Sequence, residues 1–106
     1  MYASVRTYRG PADQMDELLH IADQEFVPKV SEQPGFCAYE MIDCGDGWLV
    51  TVSCFNSPEQ AEESAELAAE FVRDRLSEFD IERTDMRAGE VRVSVAEQQM
   101  LEPAHA

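Results

Sequence analysis

Small apolar and polar residues alternate along "YASVRTYR", residues 2–9, with Ala3, Val5 and Thr7 on one side and Ser4, Arg6 and Tyr8 on the other. A period of two in a β-prone stretch predicts a strand. Gly10-Pro11 then breaks it, and Pro11 suits the first turn of a helix, with Asp13 close behind where the helix dipole favours an acid. The period changes at this point. Met15, Leu18, Leu19, Ala22, Phe26 and Val30 recur at three- and four-residue steps, which predicts an amphipathic helix showing Asp16, Asp23 and Gln24 to solvent. Pro28 is expected to kink or end that helix.

After Pro34-Gly35, residues 36–44 and 48–55 predict two strands joined at "CGDG". Ser57-Pro58-Glu59-Gln60 is a capping-box pattern with proline at the first helical position, and it opens a helix to about Phe79. Ala61, Ala65, Ala68, Val72, Leu76 and Phe79 form the predicted buried stripe, flanked by Leu67 and Phe71. Glu59, Glu62, Glu63, Glu66 and Glu70 form a solvated opposite face. Residues 80–88 read as a polar connection, and "EVRVSVA", residues 90–96, as the last strand with Val91, Val93 and Val95 on one side. The tail, residues 97–106, is expected to fray unless Met100 and Leu101 dock.

The order strand, helix, strand, strand, helix, strand predicts an α+β, ferredoxin-like βαββαβ domain over residues 1–96, with a four-stranded antiparallel sheet and two helices on one face. Apolarity assigns Ala3, Val5, Cys37, Tyr39, Met41, Val50, Val52, Cys54 and the three valines of the last strand to the helix-facing side. Tyr2, Arg6, Tyr8, Phe36, Ala38, Glu40, Ile42, Leu49, Thr51, Phe55 and Arg92 then face away. Phe36, Ile42, Leu49 and Phe55 would make a large exposed patch, so a homodimer through the sheet face is expected.

Composition sharpens the class. The 106 residues include 22 Asp plus Glu against eight Lys plus Arg, for a net charge of -14, and Lys29 is the one lysine. Such a surface repels nucleic acid, while 44% hydrophobic content is that of a folded domain. An acid-rich, lysine-poor coat suits a high-salt cytoplasm, which leads us to expect a halophilic source. The chain shows neither a membrane-length apolar run nor the charge and apolar pattern of a signal peptide, so the expected location is cytoplasmic and no membrane partner is expected. Three cysteines in no dense pattern, with two histidines, predict reduced core thiols and no metal site.

"PGFCAYEMIDCGDGWLVTVSCFNSPEQAEES" followed by a helix and "GEVRVSV" resembles the antibiotic biosynthesis monooxygenase-like domains of the dimeric α+β barrel superfamily. The features that carry this are Pro-Gly-Phe before the second strand, an aromatic two or three positions on, a hairpin, and Phe-x-Ser-x-Glu opening the second helix. The resemblance implies a homodimer with sheets face to face and a pocket in each subunit between sheet and helices. It also implies a cofactor-independent monooxygenase for a small aromatic or polyphenolic substrate, in which the substrate supplies the electrons and no cofactor is needed. Haem-degrading relatives carry an Asn on the first strand and a Trp and a His on the second helix. Here Arg6 and Thr7 stand near the Asn position and residues 57–79 hold neither Trp nor His, which disfavours haem degradation. The alternative is a non-catalytic dimeric small-molecule-binding or assembly domain of the same fold.

Six residues are candidates for the site. Tyr39 is a candidate catalytic donor to a substrate oxygen, and His20, with Asp16 and Gln24 one helical turn away on either side, a candidate base. Trp48 would form an aromatic wall. Cys54 and Asn56 cluster with Cys37 and Tyr39 on one face, whichever loop closes the hairpin: Asp46-Gly47 sets Tyr39 opposite Cys54, Gly45-Asp46 sets Cys37 opposite Cys54. Arg6 either pairs with Glu40 or, if the parity of its strand is the reverse of that assigned above, holds an anionic substrate in the pocket.

Overall fold

The structure is a computed structural model that describes residues 1–96. Strand β1 (Tyr2–Arg9) is followed by a 3-10 turn at Ala12–Gln14, helix α1 (Met15–Ile21), a π-helical stretch at Ala22–Phe26 and helix α2 (Val27–Ser31). Strands β2 (Phe36–Gly45) and β3 (Trp48–Phe55), helix α3 (Pro58–Arg75), a 3-10 turn at Ser77–Phe79 and strand β4 (Glu82–Glu90) complete it. The sheet is antiparallel in the order β2-β3-β1-β4, and the helices cover one face, so the fold is ferredoxin-like α+β. The predicted tail, with Met100 and Leu101, lies outside the described residues.

The two helical segments bury stripes close to those expected. Met15, Leu18, Ala22, Phe26 and Val30 are buried along the first. Pro28 does not end this helix. Lacking an N–H and crowding the carbonyl four residues back, it follows a wider winding in which the Val27 N–H bonds to Ala22 O, and the chain returns to α geometry through Ser31. On α3 the Ser57 hydroxyl accepts from Gln60 N at 3.3 Å, capping the helix with Pro58 in the first turn. Ala61, Ser64, Ala68 and Phe71 are buried, while Ala65 and Val72 are half-buried at the edge of that stripe.

The hairpin closes on Asp46-Gly47, both at positive φ (54° and 85°), as a two-residue turn requires. Gly47 is also buried against the first turn: the Gly10 N–H donates to Gly47 O at 2.8 Å, and a Cβ at Gly47 would lie 2.3 Å from Gly10 O.

Three expectations are corrected. First, the fourth strand is Glu82–Glu90, and residues 91–96 lie beyond it with Val93 and Val95 exposed. The chain turns back at once after Phe79, through Asp80 in the left-handed region, so pairing with β1 starts at Glu82 opposite Arg9. The Val91 N–H still reaches Met1 O at 2.9 Å, and the ladder ends there.

Second, β1 and β3 have the reverse parity. Ser4, Arg6, Tyr8, Leu49, Thr51, Ser53 and Phe55 are buried under the helices, and Val5 is exposed. Leu49 and Phe55 fill the space beneath the helices, while Val50 and Val52 are left on the other side with Trp48 at its margin. Phe36, Leu49 and Phe55 are therefore core residues, and the uncovered face carries Val5, Ile42, Trp48, Val50 and Val52 instead.

Third, bulges at Cys37 and Cys44 shift the hairpin register, so that Tyr39 lies opposite Ser53 and Ala38 opposite Cys54. An extra residue resets the alternation, which lets Phe36 and Tyr39, three positions apart, both pack against the core. Tyr39 is thereby separated from the Cys37, Cys54 and Asn56 group.

Candidate functional site

Between the sheet and α3 a narrow recess of about 30 Å³ adjoins a wider cleft of about 350 Å³. The recess is walled by Leu18, Phe26, Leu49, Phe71 and other apolar side chains, with Arg6, Tyr8, Tyr39 and Thr51 as its polar groups. The cleft opens past Ala65, Ala68, Ala69 and Val72 of α3 toward Arg73 and Arg83. Arg6, Tyr8, Ala68 and Val72 line both spaces, so they mark the join. The cleft volume lies at the small end of the range for small-molecule pockets, while the recess admits a group of about the size of a water molecule.

The sheet register places the polar groups. Arg6 stands directly between Thr51 on β3 and Met86 on β4, and Tyr8 between Leu49 and Arg83. Arg6 is 2% exposed and its Nη2 has no hydrogen-bond partner. Tyr39 packs edge-on against Phe26, with ring centroids 5.5 Å apart, and Phe26 in turn packs on Phe71 at 5.3 Å. Burial pushes the Tyr39 phenol well above its ordinary value, and the neighbouring Tyr8 adds to this, while the Arg6 charge and hydrogen bonding by Thr51 oppose it. Tyr8 is raised as well, again by burial, against the opposing charges of Arg6 and Arg83. Both phenols are thus neutral donors at pH 7.

The other sequence candidates lie elsewhere. His20 is exposed on α1 and borders neither space. Trp48 sits on the uncovered sheet face with the Arg9 guanidinium 4.5 Å over its ring. Cys54 is on that same face beside Ala3 and Ala38, and its thiol is raised by burial and by neighbouring Cys37. Asn56 is exposed, and the Cys37 thiol lies 3.3 Å from its Oδ1. Arg6 and Glu40 are on opposite faces, so they form no ion pair. Of the six candidates, the structure brings together Arg6 and Tyr39. Tyr8, Thr51, Arg73 and Arg83 join them without having been singled out; Tyr8 shares the parity of Arg6 and is legible once that strand is reversed.

Among the described residues, no group of three His, Cys, Asp or Glu side chains is placed to hold a metal ion. None of their helices is long and apolar enough to cross a membrane.

No protein-family model matches the chain, and no curated protein matches it. Solved structures do. A putative antibiotic biosynthesis monooxygenase from Deinococcus radiodurans superposes with a TM-score of 0.72 at 14% identity, covering 92% of this chain and 99% of that one. A monooxygenase from the gene ActVA-Orf6 of Streptomyces coelicolor, in complex with nanaomycin D, gives 0.67 at 16% identity, covering 92% of each chain. A dimeric ferredoxin-like protein from an uncultured marine organism gives 0.72 at 13% identity, over 91% of this chain and 98% of that one. The fold is that of the antibiotic biosynthesis monooxygenase-like domains.

Proposed function

We propose that the chain is a cofactor-independent, monooxygenase-like protein whose cleft takes a small aromatic or polyphenolic substrate. The observation that carries this reading is the cleft between sheet and α3, which narrows to a largely apolar recess where a neutral Tyr39 phenol stands with Arg6, Tyr8 and Thr51. In such a reaction an acidic phenol or anthrone loses a proton, the resulting anion gives electrons to dioxygen, one oxygen atom enters the ring as a carbonyl and the other leaves as water. Tyr39 and Thr51 would donate to the substrate oxygen as negative charge builds on it. Arg6 takes a substrate-binding role, and His20, Trp48, Cys54 and Asn56 take none in the pocket.

Among the described residues lining recess and cleft there is no His, Asp or Glu to act as a base, which favours a second reading, a binding protein of the same fold without turnover. Oxygen uptake with a panel of anthrones and hydroquinones separates the two. The oxygenase reading expects uptake above buffer, a loss in Tyr39→Phe and no change in His20→Ala. If no compound consumes oxygen faster than buffer, the binding reading stands.

The uncovered sheet face completes the proposal as a homodimer interface. Val5, Ile42 and Trp48 are 41%, 44% and 38% exposed on it, beside half-buried Val50 and Val52. A continuous β-branched surface of this kind fits a second copy of itself.

A further inference from the structure

We infer that the cleft selects an aromatic acid, with the carboxylate of the ligand seated on Arg6 and its ring along Ala65, Ala68 and Val72. This rests on the reading of the cleft as a small-molecule pocket and names the class of molecule it takes. Arg6 carries the argument. It is a guanidinium, the side chain with a fixed positive fork of donors; it is 2% exposed, and Nη2 is unpartnered. Burying such a charge without an anion is strongly unfavourable. Yet its cross-strand neighbours are Thr51 and Met86, and among the described residues no carboxylate lines the recess or the cleft. A planar fork with a free donor matches a carboxylate, which accepts two parallel hydrogen bonds.

The mouth of the cleft supplies an independent second observation. Arg73 and Arg83 border it, so three of the eight cationic side chains in a chain of net charge -14 meet at one opening. Among the described residues Arg73 makes one loose, exposed ion pair, its Nε 3.9 Å from Asp74 Oδ1, and Arg83 Nη1 contacts Met86 Sδ at 3.5 Å. A local positive field on an acidic molecule draws anions to this one place and repels them elsewhere.

The test is anaerobic calorimetric titration with benzoate and with benzamide, its neutral counterpart. Benzoate is expected to bind about tenfold more tightly or better, as a charge-assisted pair implies. The preference should fall to within about twofold in Arg6→Gln, and should weaken about threefold in Arg83→Gln. Ala65→Glu, which leaves Arg6 in place and supplies a carboxylate from the cleft wall, should also remove the preference, so the inference stays testable if Arg6→Gln does not fold. Equal binding of the two probes, no binding of either, or a preference that survives both Arg6→Gln and Ala65→Glu would overturn it. Oxygen uptake plays no part in this titration: benzoate binding without turnover in the substrate panel would sink the oxygenase reading and leave the acid site standing.

Discussion

Arg75, in the last turn of α3, grips Glu25 in the π-helical stretch through two hydrogen bonds, Nε to Oε1 at 2.6 Å and Nη2 to Oε2 at 2.8 Å. The bidentate contact fastens the two helical segments to each other above the core. It lowers the Glu25 carboxyl below its ordinary value of 4.5, chiefly through the hydrogen bonds. A carboxylate whose pKa is lowered on folding contributes stability above its unfolded pKa and loses it as the pH falls through the folded one. Arg75→Ala should therefore melt slightly below the parent at pH 7, with the gap closing in acid below pH 4.5. Because both side chains are solvent-exposed, the gap should be small and should shrink in molar salt. Melting curves at pH 7 and pH 3 check it.

Tyr39 and Tyr8 predict the opposite pH behaviour. Their phenols are raised by burial, so the folded state holds its protons after the unfolded chain has lost them. Stability is full below the ordinary value of 10.0 and declines as the pH rises above it. Absorbance of tyrosinate followed from pH 9 upward should show a late component that shrinks in Tyr39→Phe and leaves the part due to Tyr8. A Tyr39→Phe titration that superposes on the parent would show that this phenol is not protected.

Phe55 has no exposed surface and stacks edge-on with Phe36 at 5.8 Å. Phe55→Ala should lower stability by about 3–5 kcal/mol, as emptying a packed aromatic site does. Had Phe55 faced away from the helices, the loss would be far smaller, so urea denaturation of this variant also checks the strand parity.

That parity separates what the sequence made legible from what it did not. Helix stripes, the capped start of α3 and the hairpin follow from local periodicity and turn chemistry, and Met15, Leu18, Phe26 and Ser57 take the places expected of them, while the choice between the two possible hairpin loops falls to Asp46-Gly47. Strand faces were harder to assign because both sides of β1 and β3 carry apolar residues. Ranking by apolarity placed Val5 inside and Arg6 outside; ranking by volume would have turned β1 over but not β3, whose uncovered side holds Trp48. The bulges at Cys37 and Cys44 leave no trace in a two-residue period, yet they decide that Tyr39 parts from Cys54. Arg6 reaches the recess only through the reversed-parity alternative, and no sequence period marks Arg73 and Arg83 as neighbours because one stands on α3 and the other on β4.

The proposed dimer predicts a mass of twice 11.9 kDa by light scattering in concentrated salt, and Val5→Lys, which places a charge in the middle of the uncovered face, should shift it toward the monomer. A single 11.9 kDa species for the parent chain refutes the interface.

The acidic surface predicts a rise in Tm on going from dilute buffer to molar KCl, because screening relieves the repulsion among carboxylates in a molecule of net charge -14. A Tm that stays level or drops counts against a high-salt adaptation.

The displaced fourth strand has an effect on how copies of the chain meet at their margins. β4 borders the sheet, and an open border offers unpaired backbone groups on which another strand can template. Had residues 90–96 formed that border, its side chains would include three valines in alternation. Glu82, Arg83, Asp85, Arg87 and Glu90 stand there instead, and a second chain approaching side by side would have to strip water from charged groups at five of the nine positions. The segment that looked most like a strand is kept off the sheet's edge, and the one that looked like a linker lines that edge with charge.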